Sequence, residues 1–391
     1  MSQIHIKEES RVSTAIRHIL PSLLFISLVV ETGFRTSWIR SGGHAFQDGD
    51  WLINYSAGFI RRGLFGSLIL SLHLSSQSTL YLLLIFQLLC YVILACALIS
   101  FLERQSYSWP SLAIVLSPAA FMFIFLDQAG AFRKEIILYA SLSLLYFVTT
   151  SKRNPQFYLI PSILLYVLGV FSWDGIAFLA PMVVVAFFAL KDQNFISVKQ
   201  KYFYSSIVIL TSFLGLVVSV FFKGGATEAE VICSGLRLNH GFSRQICDLG
   251  GGNGAIVAIG WPTSKYINDT IHSFPAYFVY LLFLALAMLP FYLFFGKPFL
   301  NRSWKYFLLL TPLFILAIDY GRWISLFVIC LILLSMIENQ EIQSKINLHP
   351  IFYLIFIFGW GFQHFFNHFV FLNLIAKFWA ISTGAWYPPH Y

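Results

Sequence analysis

Charged residues are scarce in this sequence, and the scarcity excludes an ordinary soluble protein. Asp, Glu, Lys and Arg make up 11% of the 391 residues, whereas hydrophobic residues make up 58%. A soluble domain carries about 25% charged residues, so the charges here are too few to cover a surface in water. The sequence therefore predicts an integral membrane protein.

Several catalytic and architectural signatures are also missing. The chain has no Cys-x-x-Cys pair, no Ser/His/Asp hydrolase arrangement and no phosphate-binding loop that ends in Lys-Ser/Thr, so a zinc site, a serine hydrolase and a P-loop enzyme are not indicated. No internal repeat is visible, which weighs against a transporter built from inverted repeats. Segments of alternating polarity, typical of membrane β-barrels, are absent as well.

Long apolar runs fill the chain from end to end. They have the length that a helix needs to cross a hydrocarbon core of about 30 Å, and the sequence predicts an all-α, polytopic membrane protein with a single domain over 1–391. The predicted spans are 19–38, 79–103, 109–126, 136–150, 157–172, 175–190, 203–222, 273–296, 306–318, 322–337 and 350–372. The short segment Leu64 to Leu74 is either a re-entrant or interfacial helix or a short additional span.

Orientation follows from the basic residues of the short loops. The formal charge of +8 indicates basic cytoplasmic loops rather than nucleic-acid binding. Residues 1–18 carry Lys7, Arg11 and Arg17 and are predicted to be cytoplasmic, and the first apolar run lacks a small-residue cleavage site, so it is interpreted as a retained span. The segments then predicted to lie outside are 39–78, 127–135, 173–174, 223–272, 319–321 and 373–391.

The cysteines fit this orientation. Cys233 and Cys247 share the long predicted outer loop, 223–272, where an oxidising periplasm favours a disulfide between them. Two free thiols are the alternative.

The first polar cluster follows the first predicted span and contains Asp48, Asp50, Asn54, Arg61 and Arg62. If the segment is helical, Asp50, Asn54 and Arg61 share one face, because their spacing follows the helical period. A carboxylate base would then stand beside an arginine phosphate clamp. The alternative is an amphipathic helix at the membrane surface with an internal Asp–Arg pair.

The second cluster joins two predicted spans and contains Asp127, Arg133, Lys134 and Glu135. One interpretation is a charged turn whose residues neutralise one another. However, two adjacent cations on an outer loop oppose the positive-inside tendency, so a bound anion is the alternative.

Two tight turns between predicted spans carry the remaining carboxylates. Asp174 is either a helix N-cap or an active group. Arg322 stands at the start of a predicted helix, where a cation opposes the helix dipole, and either Asp319 or an anionic ligand would offset that cost.

Two histidines, His364 and His368, are spaced four residues apart in the last predicted span. This spacing can bind a metal, but no carboxylate or cysteine lies nearby in sequence, so a polar helix–helix contact is favoured and no metal is predicted. His364 could approach a substrate from the wet outer end of its helix.

Two segments of the sequence resemble those of a known family. The segment from Asn54 to Gly63 and the turn from Asp319 to Trp323 look like those of bacterial polytopic proteins of surface-polysaccharide synthesis. The overall plan resembles O-antigen polymerases of the Wzy type and membrane glycosyltransferases of the GT-C fold. In the polymerases outer-loop arginines are thought to hold the lipid pyrophosphate, and the matching positions are Arg61, Arg62, Arg133 and Arg322. GT-C enzymes carry a catalytic acid in the first outer loop, occupied here by Asp48 and Asp50.

The resemblance implies a bacterial inner-membrane glycosyltransferase that acts at the periplasmic face on saccharides linked to undecaprenyl (pyro)phosphate. Membrane lipid and a chain-length regulator are the further partners, and no cofactor or nucleic acid is expected. The predicted catalytic residues are Asp50, Asp48 and Asp319. The predicted substrate- and phosphate-binding residues are Arg61, Arg62, Arg133, Lys134, Arg322, Asn54, Asp174 and His364.

Within this reading, polymerisation of O-antigen repeat units is favoured, and addition of a single sugar from a polyprenyl-phosphate donor is the nearest alternative. A transporter or flippase is an alternative of another class, although the charges cluster at predicted helix ends rather than at mid-membrane depth. A membrane O-acyltransferase that uses His364 or His368 is a further alternative.

Overall fold

A computed structural model describes residues 14–127, 130–190, 196–248, 250, 252–272, 274–316, 319–340, 342 and 348–363. Within these ranges the regular elements are helices, and no strand occurs among them. In chain order the α-helices are α1 (Ser22–Arg40), α2 (Leu64–Leu70), α3 (Ser76–Arg104), α4 (Trp109–Val115), α5 (Met122–Leu126), α6 (Glu135–Thr150), α7 (Gln156–Ser172), α8 (Ala180–Ala189), α9 (Val198–Phe221), α10 (Ala226–His240), α11 (Thr263–His272), α12 (Phe274–Leu316), α13 (Tyr320–Ile337) and α14 (Pro350–Phe358).

The apolar helices have the character of a membrane protein. Five helices in the described part of the chain are long and apolar enough to cross a membrane: Thr14–Arg40, Ser76–Arg104, Val198–Phe221, Tyr277–Ile315 and Tyr320–Ile337. Shorter apolar helices cover Glu135–Thr150, Gln156–Ser172 and Asp174–Ala189. The all-α prediction is confirmed for the described residues, and eleven spans stay a prediction.

Two predicted elements differ from the structure in length. The predicted span 109–126 consists of two short helices, α4 and α5, because Pro118 disfavours helical geometry at Ser117 and cannot donate a backbone hydrogen bond. Helix α2 ends at Leu70 and has seven residues. At 1.5 Å per residue it is about 10 Å long, too short to cross a hydrocarbon core of about 30 Å.

Helix α12 is a hairpin rather than one long rod. Gly296 interrupts it with φ of 79° and ψ of 179°, in a region that glycine adopts far more readily than other residues. The Tyr277 hydroxyl donates a hydrogen bond to the carbonyl of Phe314, which brings the two ends of α12 together. The two arms of the hairpin correspond to the predicted spans 273–296 and 306–318.

Helices α6 and α13 occupy the centre of the bundle. Helix α6 contacts α3, α7 and α13, and every residue of α13 is buried. Both helices begin at the same end of the bundle, because Glu135 at the start of α6 contacts Arg322 in the first turn of α13. We call this end the polar end.

The two long polar segments join over the polar end into one unit, here called the cap (residues 41–60, 223–248, 250 and 252–272). The backbone amide of Ala255 donates to the carbonyl of Ala45 at 3.2 Å, and the Ser243 hydroxyl donates to the carbonyl of Gly42 at 3.1 Å. Within the cap, Cys233 of α10 forms a disulfide with Cys247, with their Cα atoms 5.9 Å apart. The structure thus pairs the two cysteines of the predicted outer loop.

Candidate functional site

The segment that follows α1 does not form the single helix on which Asp50, Asn54 and Arg61 would share a face. Residues 45–52 form turns, and only Tyr55–Ala57 is helical, as a short 3-10 helix. The carboxamide of Asn54 caps that helix, because its oxygen accepts from the amide of Ser56 at 2.9 Å and its nitrogen donates to the carbonyl of Leu52 at 2.9 Å. Asn54 therefore shapes the backbone, and its predicted place on a face shared with Asp50 and Arg61 is wrong.

Asp48 faces a different partner from Asp50. Its carboxylate is paired with the guanidinium of Arg35 in α1, and both side chains are almost fully buried. The same carboxylate accepts from the amide of His44 at 2.8 Å, and Arg35 also donates to Gln47 at 2.5 Å. With its hydrogen-bonding capacity used in this way, Asp48 fixes the start of the cap onto α1, which corrects its placement beside Asp50 as a catalytic group.

Asp50 lies against the loop that precedes α6. Its carboxylate is 3.7 Å from Nε of Arg133 and 3.6 Å from Nζ of Lys134. These separations exceed the range of about 2.7–3.2 Å for an N–H···O hydrogen bond. Among the described residues, no side chain or backbone amide donates a hydrogen bond to the Asp50 carboxylate.

The loop that carries the two cations is held by its backbone. Phe132 has a φ of 57°, and its carbonyl accepts hydrogen bonds from Trp51 Nε1 at 2.8 Å and from Gln87 Nε2 at 2.9 Å. The amide of Phe132 donates to the Tyr91 hydroxyl at 3.2 Å. The next residues in the chain, Arg133 and Lys134, are thereby directed to Asp50.

Asp174 binds Arg61 and Arg62, the two arginines that follow the first segment of the cap. Its carboxylate is 2.6 Å from Nε of Arg62 and 3.5 Å from Nη1 of Arg61. The ammonium group of Lys134 donates to the carbonyl of Arg62 at 3.3 Å, so this group adjoins the one around Asp50. Asp174 makes no side-chain N-cap, and the alternative interpretation, an active group, stays a prediction.

Arg322, in the first turn of α13, pairs with two further carboxylates. Its guanidinium is hydrogen-bonded to the carboxylates of both Glu135 and Asp319. It also lies over the ring of Trp323, 4.9 Å from the ring centre, and Trp323 stacks on Trp173 with ring centres 5.4 Å apart. The cost of a cation at a helix start is therefore offset by carboxylates of this chain.

These side chains form one charged cluster at the polar end. Its members are Asp50, Arg61, Arg62, Arg133, Lys134, Glu135, Asp174, Asp319 and Arg322. With all groups ionised, five cations face four carboxylates, which leaves one positive charge in excess. Arginine and lysine suit phosphate, so the cluster has the charge to bind an anionic group.

Burial and neighbouring charges act in opposite directions on the central pair. Burial raises the pKa of Asp50, but Lys134, Arg133, Arg62 and Arg322 outweigh it and hold the pKa below its ordinary value of 3.8. For Lys134, burial is the dominant influence and lowers the pKa to about 8. At neutral pH the cluster therefore holds an ionised carboxylate beside an ammonium group that loses its proton in mildly basic solution.

Comparison with protein-family models, with curated proteins and with solved structures found no match for this chain.

A small cavity extends below the cluster toward the centre of the bundle. It has a volume of about 20 Å³ and is lined by Arg133, Glu135, Arg322, Tyr139 and Ser325 among others, which is room for about one water molecule. Glu135 Oε2 and Arg322 Nε are buried there without a hydrogen-bond partner among the described residues. A water or a polar group of a ligand would satisfy both atoms.

The structure brings together most of the site residues that the sequence indicates, and it gives two of them other partners. The residues that converge are Asp50, Arg61, Arg62, Arg133, Lys134, Asp174, Asp319 and Arg322. Asp48 and Asn54 have the separate roles described above, and His364 lies outside the described residues.

Two charged residues with defined places in the structure were not selected from the sequence. Glu135 is a member of the cluster, although the sequence only indicated it as part of a self-neutralising turn. Arg35 lies inside a predicted span, and an ionisable residue at that depth is itself a signal of function or of a buried partner.

Proposed function

We propose that the protein is a membrane glycosyltransferase that transfers a saccharide from polyprenyl (pyro)phosphate to an acceptor hydroxyl. The observation that carries the proposal is the Asp50 carboxylate, which lies 3.6 Å from the buried Lys134 and 3.7 Å from the partly buried Arg133 and accepts no hydrogen bond from the described residues. The other carboxylates of the cluster are hydrogen-bonded to arginines. Among the described residues, Asp50 is the carboxylate of the cluster that accepts no hydrogen bond from an arginine, so both of its oxygens can receive a substrate proton.

The chemistry follows from this difference. The acceptor hydroxyl oxygen attacks the anomeric carbon, and the bond from that carbon to the phosphate oxygen breaks. The hydroxyl proton passes to Asp50 and then to water, and the electron pair of the broken bond stays on the phosphate. Arg133, Lys134 and Arg62 stabilise the charge that develops on the leaving phosphate, because fixed cations in a water-poor site need no reorganisation during the reaction.

The architecture supports a lipid-linked donor. Long apolar helices stand below the cluster, so a polyprenyl chain would remain among lipid tails while its phosphate reached the cations at the polar end. We propose that this end is the periplasmic face of a bacterial inner membrane and that the fold is GT-C-like, with eleven spans. The favoured reaction is polymerisation of O-antigen repeat units.

Addition of one sugar from a polyprenyl-phosphate donor uses the same cluster. The position of Asp50 in the first polar segment after α1 favours this second candidate, by its resemblance to the first outer loop of GT-C enzymes. The donor separates the two candidates: an oligosaccharide pyrophosphate for the polymerase and a monosaccharide phosphate for the transferase.

Deletion of the gene in its own host tests the proposal, with surface polysaccharide resolved on a gel. For a polymerase we expect the ladder to collapse to a single-repeat band. Wild-type protein should restore the ladder, and Asp50→Asn should not, at equal membrane levels.

A persistent ladder with every rung shifted would instead identify a single-sugar transferase. If repeats accumulate inside and none reaches the surface, the protein is a transporter and the proposal is wrong.

A further inference from the structure

The cap contains a second recess, distinct from the charged cluster. It has a volume of about 340 Å³ and is bordered by α10, by the turn around Cys247 and by residues 257–261. Small-molecule sites occupy about 300–1,000 Å³, so the recess has the size of a binding site for a molecule of a few rings. We call it the cap cleft.

The lining combines one aromatic ring with charged side chains. Trp261, Arg237, Arg244, Glu230 and Asp248 all border the cleft. A tryptophan offers a flat apolar surface with a polar edge, and a pyranose ring has a matching face of C–H groups surrounded by hydroxyls. The remaining side chains are the donors and acceptors that would fix the hydroxyls of such a ring.

The charges of the cleft are not equivalent. The Asp248 carboxylate already accepts from the amides of Gly250 at 2.8 Å and Asn253 at 2.9 Å. The Arg237 side chain is exposed and makes no hydrogen bond or ion pair with the described residues. Lys265 lies outside the lining, and its Nζ covers one face of the Trp261 ring, 3.4 Å from the ring centre. The lining thus holds two arginines and two carboxylates, and one of these carboxylates, Asp248, is already bonded to backbone amides.

The cleft adjoins the charged cluster through one residue. The ring of Tyr266 lies 5.8 Å from that of Trp261, centre to centre, and its hydroxyl donates to the carbonyl of Ala258 at 2.6 Å. Burial raises the pKa of Tyr266, and the nearby charges of Arg62 and Arg61 in the cluster oppose that rise. A phosphate on these arginines and a sugar against Trp261 would thus be neighbours.

We propose that the cap cleft binds one or two residues of an acidic saccharide, with a sugar ring on Trp261 and its carboxylate on Arg237 and Arg244. The binding itself does not depend on catalysis, whereas the role of the saccharide as the substrate of the cluster rests on the proposed function.

Binding to the full-length protein in lipid nanodiscs tests the cleft directly. The probes are digalacturonic acid and digalactose of the same linkage, which differ only in their carboxylates, and ligand-observed NMR reports binding. We expect digalacturonic acid to bind at least tenfold more tightly. Trp261→Ala and the double variant Arg237→Gln/Arg244→Gln should each weaken its binding more than tenfold.

Matched controls separate the cleft from general effects. Arg153→Gln removes an exposed arginine outside the cap and should leave binding unchanged, and Trp261→Phe should retain most of it if the ring acts as a stacking surface. Equal binding of the two probes, or binding that survives both Trp261→Ala and the double arginine variant, would overturn the proposal. The melting temperature of each variant is also measured, so that a loss of binding caused by unfolding is recognised.

The failure of this inference can be told from the failure of the proposed function. Asp50→Asn lies outside the cleft and should bind digalacturonic acid as the wild type does. If binding follows the expected pattern while no transfer from a lipid-linked donor is detected, the cleft stands and the glycosyltransferase proposal fails. If transfer is detected and depends on Asp50 but the cleft variants bind normally, the glycosyltransferase proposal stands and the cleft inference fails.

Discussion

The ammonium nitrogen of Lys134 lies 3.6 Å from Oδ1 of Asp50, and the two side chains are 0% and 5% exposed. Their charges are thus shielded from water but are not joined by a hydrogen bond. Each charge stabilises the ionised form of the other, because opposite charges at this distance interact strongly in a poorly solvated site. The proposed base, Asp50, and a proposed phosphate-binding cation, Lys134, thus lie side by side.

Asp50→Asn should separate chemistry from binding. We expect the rate of glycosyl transfer in proteoliposomes to fall about 10²- to 10⁴-fold, the usual contribution of a general base. The donor lipid should bind as well as before or more tightly, because the cations lose a competing carboxylate. Glu338→Gln is the matched control, since it breaks the 2.5 Å pair with Arg302 at the opposite end of α13. Near wild-type turnover in Asp50→Asn would remove Asp50 from the mechanism.

Asp48→Asn should act on stability instead. The substitution leaves the buried guanidinium of Arg35 without its charged partner, and breaking such a pair costs about 3–5 kcal/mol. We expect a lower melting temperature in detergent. The double variant Arg35→Met/Asp48→Leu should recover much of the loss, because apolar replacement of both partners is often neutral or stabilising. No recovery in the double variant would show that Asp48 does more than neutralise Arg35.

Donor binding should depend on pH through Lys134. Its pKa of about 8 means that the side chain is cationic below this pH and neutral above it. If the cation is required, affinity for an undecaprenyl-pyrophosphate sugar, whose own charge is constant in this range, falls about tenfold per pH unit above 8. Lys134→Arg should flatten the dependence up to pH 10. A wild-type affinity that does not change between pH 7 and 10 would exclude Lys134 as a donor ligand.

Stability should change in the opposite direction over the same range. The pKa of Lys134 is about 8 in the folded protein and 10.5 in its ordinary state, so between these values the unfolded chain binds more protons. The contribution of Lys134 to the free energy of unfolding therefore rises with pH across this window. Wild type and Lys134→Met, which has no titrating group, should diverge in melting temperature between pH 8 and 10; parallel curves would contradict the lowered pKa.

Arg133→Gln should weaken donor binding. A hydrogen bond to a charged group contributes about 1.5–3 kcal/mol, and each 1.4 kcal/mol corresponds to about tenfold in affinity. We therefore expect a loss of roughly 10- to 100-fold, measured by titration of the donor lipid into nanodiscs. Arg302→Gln provides the matched control at the other end of the bundle. Equal affinities for the two variants would place the phosphate elsewhere.

The helices could be predicted from the sequence because their signal is local. The apolar run predicted at 136–150 corresponds to α6 (Glu135–Thr150), and that at 322–337 corresponds to α13 (Tyr320–Ile337). A run of apolar residues has the same meaning in any context, since it reports only the removal of side chains from water. The break at Ser117–Pro118 was missed because uninterrupted hydropathy concealed it.

The partners within the site could not be predicted in the same way. Arg133, Lys134 and Glu135 are neighbours in sequence, yet two of them pair with Asp50 and the third pairs with Arg322, 187 residues away. Such pairings depend on how α6 packs against α13 and the cap. The helical period relates residues within one helix only, so it also failed for 50–61, where turns replace the helix.

The burial of α13 keeps this helix away from the lipid. Every residue of this helix is enclosed by protein, and Arg322 in its first turn binds Glu135 at the start of α6, another largely buried helix. Changes in bilayer thickness tilt or bend the helices that meet the acyl chains, and here those are the peripheral ones. We therefore expect the distances within the cluster to be insensitive to hydrophobic mismatch, because only the peripheral helices adapt to the bilayer while the central helices are held by protein.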